Sequence, residues 1–171
     1  MLSKHIQTSC CKSEANYFPK IVAIPGPVAP VTPGVLGYGS LRGDTLDLLP
    51  PGVTPVTFHE VGPLSNVTVS PSGNELVVQN NGVYQITISI NAQATALPDP
   101  NQPYFTVNIT VNGQPIFVDG IAFFNVLNRS SSTYIVQASL SAGDIVGVSA
   151  GSDSPITGYA SRSLTVIQLS G

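Results

Sequence analysis

Charge is what this sequence has least of. Only 9% of its residues are Asp, Glu, Lys or Arg, against about 25% in an ordinary globular chain. Six Lys and Arg against nine Asp and Glu leave a net charge of −3. So few cations leave no basic patch to neutralise phosphates, which argues against a nucleic-acid partner. There is no Trp and one Met. Apolar runs fall far short of the ~20 residues that a membrane span needs, so no membrane partner is expected. Helical periodicity is also missing. The N-terminus, MLSKHIQTSCCK, lacks the apolar core of ~7–15 residues that a secretory signal requires. The expectation is therefore that the protein does not leave its cell by the general secretory route.

Catalytic motifs are missing as well. There is no Gly-x-Ser-x-Gly elbow, no His-Glu-x-x-His and no phosphate loop. The two histidines are His5, in the N-terminal arm, and His59, beside Glu60. His59 reads as a satisfied surface or interface residue. Two cysteines alone do not make a four-ligand zinc site. Asp44, Asp47, Asp99, Asp119, Asp144 and Asp153 lack the spacing of a calcium loop and read as solvated turn residues. The chain is thus expected to be no enzyme, and to hold no metal or cofactor.

What is present is β-former and turn-former. The chain is 42% hydrophobic, with 16 Gly and 15 Pro. β-Branched residues broken up by turn formers mark many short strands. The clearest alternation is Tyr84, Ile86, Ile88 and Ile90 against Gln85, Thr87 and Ser89. A second runs over Phe105, Val107, Ile109 and Val111. It ends at Asn112-Gly113, a hairpin signal because both residues tolerate positive φ. A return strand is expected over 114–118. Tyr134, Val136, Ala138 and Leu140 alternate next, and a turn at 141–144 leads to a strand over 145–150. The strand over 163–169 has apolar residues on both faces, which predicts a central or interface position. Weaker strands are expected over 56–61, 66–69 and 76–79. Eight or nine strands with short turns predict an all-β sandwich or jelly roll over 40–171. The aromatics Phe58, Tyr84, Tyr104, Phe105, Phe117, Phe123, Phe124 and Tyr134 are expected in its core or at a seam between subunits.

Residues 1–39 read differently. A polar arm carries Cys10 and Cys11. Adjacent cysteines bridge each other only with strain, so the two readings are intermolecular disulfides or free thiols. Residues 21–34, IVAIPGPVAPVTPG, follow. Pro25, Pro27, Pro30 and Pro33 exclude the middle of a sheet but suit an extended strap. At ~3.1 Å per residue the strap would reach roughly 40 Å. Ile21, Val22, Ile24, Val28 and Val31 make it too apolar for a plain linker, so it is expected to dock between subunits.

The head resembles the trimeric jelly roll of tumour necrosis factor and the complement globular head. The likeness rests on Phe58, on Asn81-Gly82-Val83-Tyr84-Gln85-Ile86, on Val111-Asn112-Gly113-Gln114-Pro115-Ile116, on Leu140-Ser141-Ala142-Gly143-Asp144-Ile145-Val146, and on an apolar C-terminal strand. The ending Leu164-Thr165-Val166-Ile167-Gln168-Leu169-Ser170 is similar to that of bacterial spore-surface relatives, the exosporium glycoprotein heads of BclA type. Their collagen-like stalk is missing here. The Cys-Cys arm is instead similar to the connectors of endospore appendage (Ena) subunits. These resemblances imply homotrimers assembled from the mother cell onto the spore surface. Heads would be joined by their arms into a fibre or exosporium layer, with the chain itself, and other exosporium or appendage proteins, as partners. The rival reading is a receptor- or glycan-binding trimeric tip on a spore or phage fibre, contacting its ligand through loops 96–103 and 151–155.

Overall fold

The computed structural model describes residues 36–94, 105–123, 128–152 and 157–171. Thirteen strands occur among them. In chain order they are β1 (Tyr38–Gly43), β2 (Asp47–Leu48), β3 (Gly52–Pro55), β4 (Glu60–Val61), β5 (Val67–Val69), β6 (Leu76–Val78) and β7 (Gly82–Ala94). The rest are β8 (Phe105–Val111), β9 (Gln114–Pro115), β10 (Ile121–Phe123), β11 (Asn128–Leu140), β12 (Ile145–Ser152) and β13 (Thr157–Ser170). The first sheet runs β11-β7-β13-β1-β4, with β2 beside the start of β13. The second runs β10-β8-β12-β6-β5, with β3 beside β12 and β9 beside β8. Every pairing is antiparallel. The result is a two-sheet jelly-roll sandwich, the expected fold class.

Alternation decides what lies between the sheets. Tyr84, Ile86, Ile88 and Ile90 of β7, Phe105, Val107 and Ile109 of β8, and Leu164 and Val166 of β13 are buried. Each would contribute about 1.5–3 kcal/mol by leaving water. The Phe105 and Phe123 rings meet edge to face with centroids 5.5 Å apart. The Tyr84 hydroxyl donates to the Asn80 carbonyl at 2.8 Å, and burial pushes its pKa up. As its double-faced pattern requires, β13 is central, between β7 and β1.

Four segments depart from the expected strands. Residues 56–61 do not form one strand. β3 belongs to the second sheet and β4 to the first, so the chain changes sheets over 56–59. There each backbone N–H finds a different acceptor: Val56 the Val148 carbonyl, Thr57 the Tyr159 hydroxyl, Phe58 the Asn74 Oδ1 and His59 the Arg42 carbonyl. A corner can leave the ladder when every donor is satisfied this way. The return strand after Asn112-Gly113 spans only Gln114–Pro115, with one further backbone bond from the Ile116 N–H to the Ile109 carbonyl at 3.2 Å. The strands over 84–90 and 134–140 prove longer, at 13 residues each.

The hairpin itself forms as read. Asn112 and Gly113 sit at φ 52° and 78°. Asn112 also ties two turns together: its Nδ2 donates to Asp144 Oδ1 at 2.9 Å, and its Oδ1 accepts from the Ile145 N–H at 2.9 Å. Asp144 Oδ2 accepts from the Ser141 N–H at 2.8 Å. Asp144 is therefore a turn lock and not a merely solvated residue. The Asn112 amide and then the Ser141 N–H hold its carboxyl below the usual carboxylate range. A depressed carboxyl pKa stabilises the fold above the unfolded-state value of about 3.9, and that stability is lost as pH falls through the lowered value. Asp144→Ala is expected to cost about 1 kcal/mol at pH 7. In thermal melts the gap from the parent should narrow in acid below about pH 4.

Candidate functional site

Two features of the head stand out, and they lie on different parts of it. The first is the outer face of the first sheet. Its register aligns three rows across β11, β7, β13 and β1: Thr133-Ser89-Ser163-Arg42, Ile135-Thr87-Thr165-Ser40 and Gln137-Gln85-Ile167-Tyr38. In these rows only Arg42, on the β1 side, is charged. The remainder are uncharged, mostly polar residues, with Ile135 at 57% and Ile167 at 41% exposure. Apart from Arg42, such a face has no ion to desolvate. Beside it runs an edge with no further strand partner among the described residues. Three of the four sheet edges described here, β4, β5 and β10, are two or three residues long. The fourth, β11, is 13 residues long and pairs with β7 without a register shift. Beyond Arg129 it has no charge and no proline. Natural sheets usually blunt a long edge with Lys, Pro or a bulge, or else cover it.

The second feature is a buried cation. Arg162 is 2% exposed, yet it belongs to the inward-facing set of β13. A register shift between Ala160 and Ser163, with Ser161 at φ 43°, turns it inward. Its Nε donates to the Thr57 carbonyl at 2.8 Å, and its Nη1 donates to the Thr45 carbonyl. Its Nη2 forms an ion pair with Asp47 Oδ2 and lies 3.2 Å from His59 Nδ1. The guanidinium carbon stands 5.1 Å from the centre of the Tyr159 ring. Gly43 makes the room: a Cβ there would meet Arg162 Cζ at 2.5 Å. A buried charge is tolerated only when its donors are satisfied, and here they are.

The protons of this cluster follow from what each group is able to do. Arginine only donates, so His59 Nδ1 accepts and its proton sits on Nε2. Thr57 Oγ1 donates to Asp47 Oδ2, so it accepts from the Tyr159 hydroxyl at 3.3 Å. The Thr45 hydroxyl lies 3.3 Å from His59 Nδ1 and donates to it.

Asp47 is thus corrected: it is no solvated turn residue but the counter-ion of a buried arginine. His59 is exposed and hydrogen-bonded. Among the aromatics, Phe58, Tyr84, Phe105 and Phe123 lie in the core, Tyr134 packs against it partly buried, and Phe117 stands out at 44% exposure. Tyr104 and Phe124 lie outside the described residues, as do Cys10, Cys11 and the strap from Ile21 to Pro33. So do most of the two expected ligand loops, over 96–103 and 153–155. Sequence reading missed Arg162, Thr57 and Tyr159. One signal was available, since Arg162 shares the parity of Leu164 and Val166. Among the described residues no group of three or more His, Cys, Asp or Glu is placed to hold a metal ion.

No family model matches the sequence, and no curated protein does. Solved structures do match. The chain is similar to the globular domain of the zebrafish complement 1qA protein, with 12% identity and a TM-score of 0.57 over 78% of this chain and 97% of that one. It is also similar to the Eiger TNF of S. frugiperda, with 13% identity and a TM-score of 0.53 over 77% and 91% of the two chains. The head therefore has the jelly-roll fold of the tumour necrosis factor and complement globular domains.

Proposed function

We propose that this chain is a non-enzymatic, self-assembling structural subunit. Its heads form homotrimers, and N-terminal arms join them head to tail into a spore-surface fibre or exosporium layer. The observation that supports this most is the outer face of the first sheet, uncharged in its three rows apart from Arg42, and flanked by the 13-residue edge of β11, which has no second strand partner among the described residues. An uncharged face excludes little from a second copy of itself, and the edge presents unpaired backbone groups beside it. Charge depletion at the centre of a contact is the compositional mark of interfaces. Arms supply the second level. Three arms per trimer would join one trimer to the next with avidity, without any single strong contact. Contacts that repeat without closing make a filament and not a ring. The spore surface enters this reading through the sequence likeness of the 164–170 ending and of the Cys10-Cys11 arm.

Removing residues 1–35 is the test. The shortened chain should remain trimeric and form no fibres under negative-stain electron microscopy, whereas the full chain forms them. Fibres from the shortened chain would contradict the role of the arm.

A further inference from the structure

We propose that the Arg162 cluster supports a saccharide-binding cleft at the end of the head where β2 meets β13. The cleft is lined by Leu46, Asp47, Leu48, Pro50, Thr57, His59 and Tyr159. It lies where β2 pairs with the start of β13, at Tyr159. The chain enters β1 opposite Ile167, eight residues further along β13 and so about 26 Å away.

Several linked marks coincide here. A buried ion pair, a bulge and a non-glycine residue at positive φ all flank the cleft. Each costs stability that an apolar strand end would not, and such costs gather at functional sites. The hydrogen-bond assignments then leave two groups free. His59 Nε2–H and Asp47 Oδ1 have no partner among the described residues, while Nδ1 and Oδ2 are fully engaged. The rim is apolar and exposed, Leu46 at 52% and Leu48 at 68%. The Arg162–Asp47 pair is neutral as a unit, so the cleft offers no net charge to an ion.

One donor, one acceptor and an apolar platform match the face of a neutral pyranose. Adjacent hydroxyls of such a ring accept from His59 and donate to Asp47, and its C–H face lies on Leu48 and Pro50. An ordinary ligand site is built the same way, with a few fixed polar groups among apolar walls. The four-part network around Arg162 fixes the two polar groups before the ligand arrives.

The experiment is saturation-transfer difference NMR on the full chain, in whatever assembly it forms. The probes are the methyl pyranosides of glucose, galactose, mannose and rhamnose. With two hydrogen bonds and one stacked face, a dissociation constant of about 1–10 mM is expected for at least one of them. Leu48→Ser, which changes only an exposed side chain, should weaken that binding about tenfold, one stacked contact being worth roughly 1.4 kcal/mol. His59→Ala should abolish it. The proposal is overturned if no pyranoside gives a saturable signal, or if both variants bind as the parent does. It is also overturned if binding appears only once residues 1–35 are removed, since the arm of another copy would then be the occupant.

Discussion

Arg162→Met should lower the stability of the head by about 3–5 kcal/mol, the usual cost of breaking a buried ion pair. Met fills much of the same volume, so the loss is not that of a cavity. What disappears is the tie between distant pieces of chain. Arg162 on β13 holds the Thr45 and Thr57 carbonyls and the Asp47 carboxylate together. Without it the partly buried Thr45 and Thr57 carbonyls lose their donor, and β2 loses the ion pair that ties Asp47 to β13. The melting temperature should fall by about 10–20 °C for a domain of this size. Far-UV circular dichroism at one fixed protein concentration measures this, because assembly makes melting concentration-dependent. Asp47→Asn should cost a similar amount, about 3–5 kcal/mol, because it leaves the buried Arg162 guanidinium without its counter-ion. A loss below about 1 kcal/mol for Arg162→Met would mean that the cluster does not anchor this end of the sandwich.

Ile135→Lys should convert trimers into protomers. Ile135 is 57% exposed in the protomer and lies in the middle row of the uncharged face. In the protomer the lysine stays in water, so the fold should keep its stability within about 0.5 kcal/mol. In the proposed trimer the same substitution buries an unpaired ammonium at each of the subunit contacts. Each such burial costs several kcal/mol, and lysine on a sheet edge is a common natural guard against pairing. Sedimentation velocity should show the change at micromolar concentration. Val118→Lys is the control. Val118 is 99% exposed and lies in the β9–β10 connection of the other sheet, so assembly should survive. Loss of assembly in both variants would point to a general effect of added charge and not to this face.

The sequence makes much of the sandwich legible and little of its polar interior. Local rules carry the legible part. The alternation around Ile86 and Ile88, the Asn112-Gly113 hairpin and the doubly apolar β13 are each set by residues within a few positions of one another, so the chain states them directly. The crossing at 56–59 is different. Val56 and Phe58 alternate as a strand would, but the N–H groups of residues 56–59 go to Val148, Tyr159, Asn74 and Arg42, far apart in sequence. Nothing local distinguishes that from a ladder. The Arg162 cluster is hidden for the same reason. Its contacts with Asp47 and Thr57 span 115 and 105 residues. Arg162 has inward parity, which marks it as buried, but parity does not identify a partner. The uncharged face was visible only as a low overall charge until the register placed Ile135, Thr87, Thr165 and Ser40 side by side.

The central claim is that this face joins copies of the chain, and the mass of the head in solution tests it most directly. Light scattering on the folded protein without residues 1–35 should return three times the protomer mass at micromolar concentration, and one protomer mass after Ile135→Lys. A single protomer mass for the parent head, with its circular dichroism intact, would contradict the account.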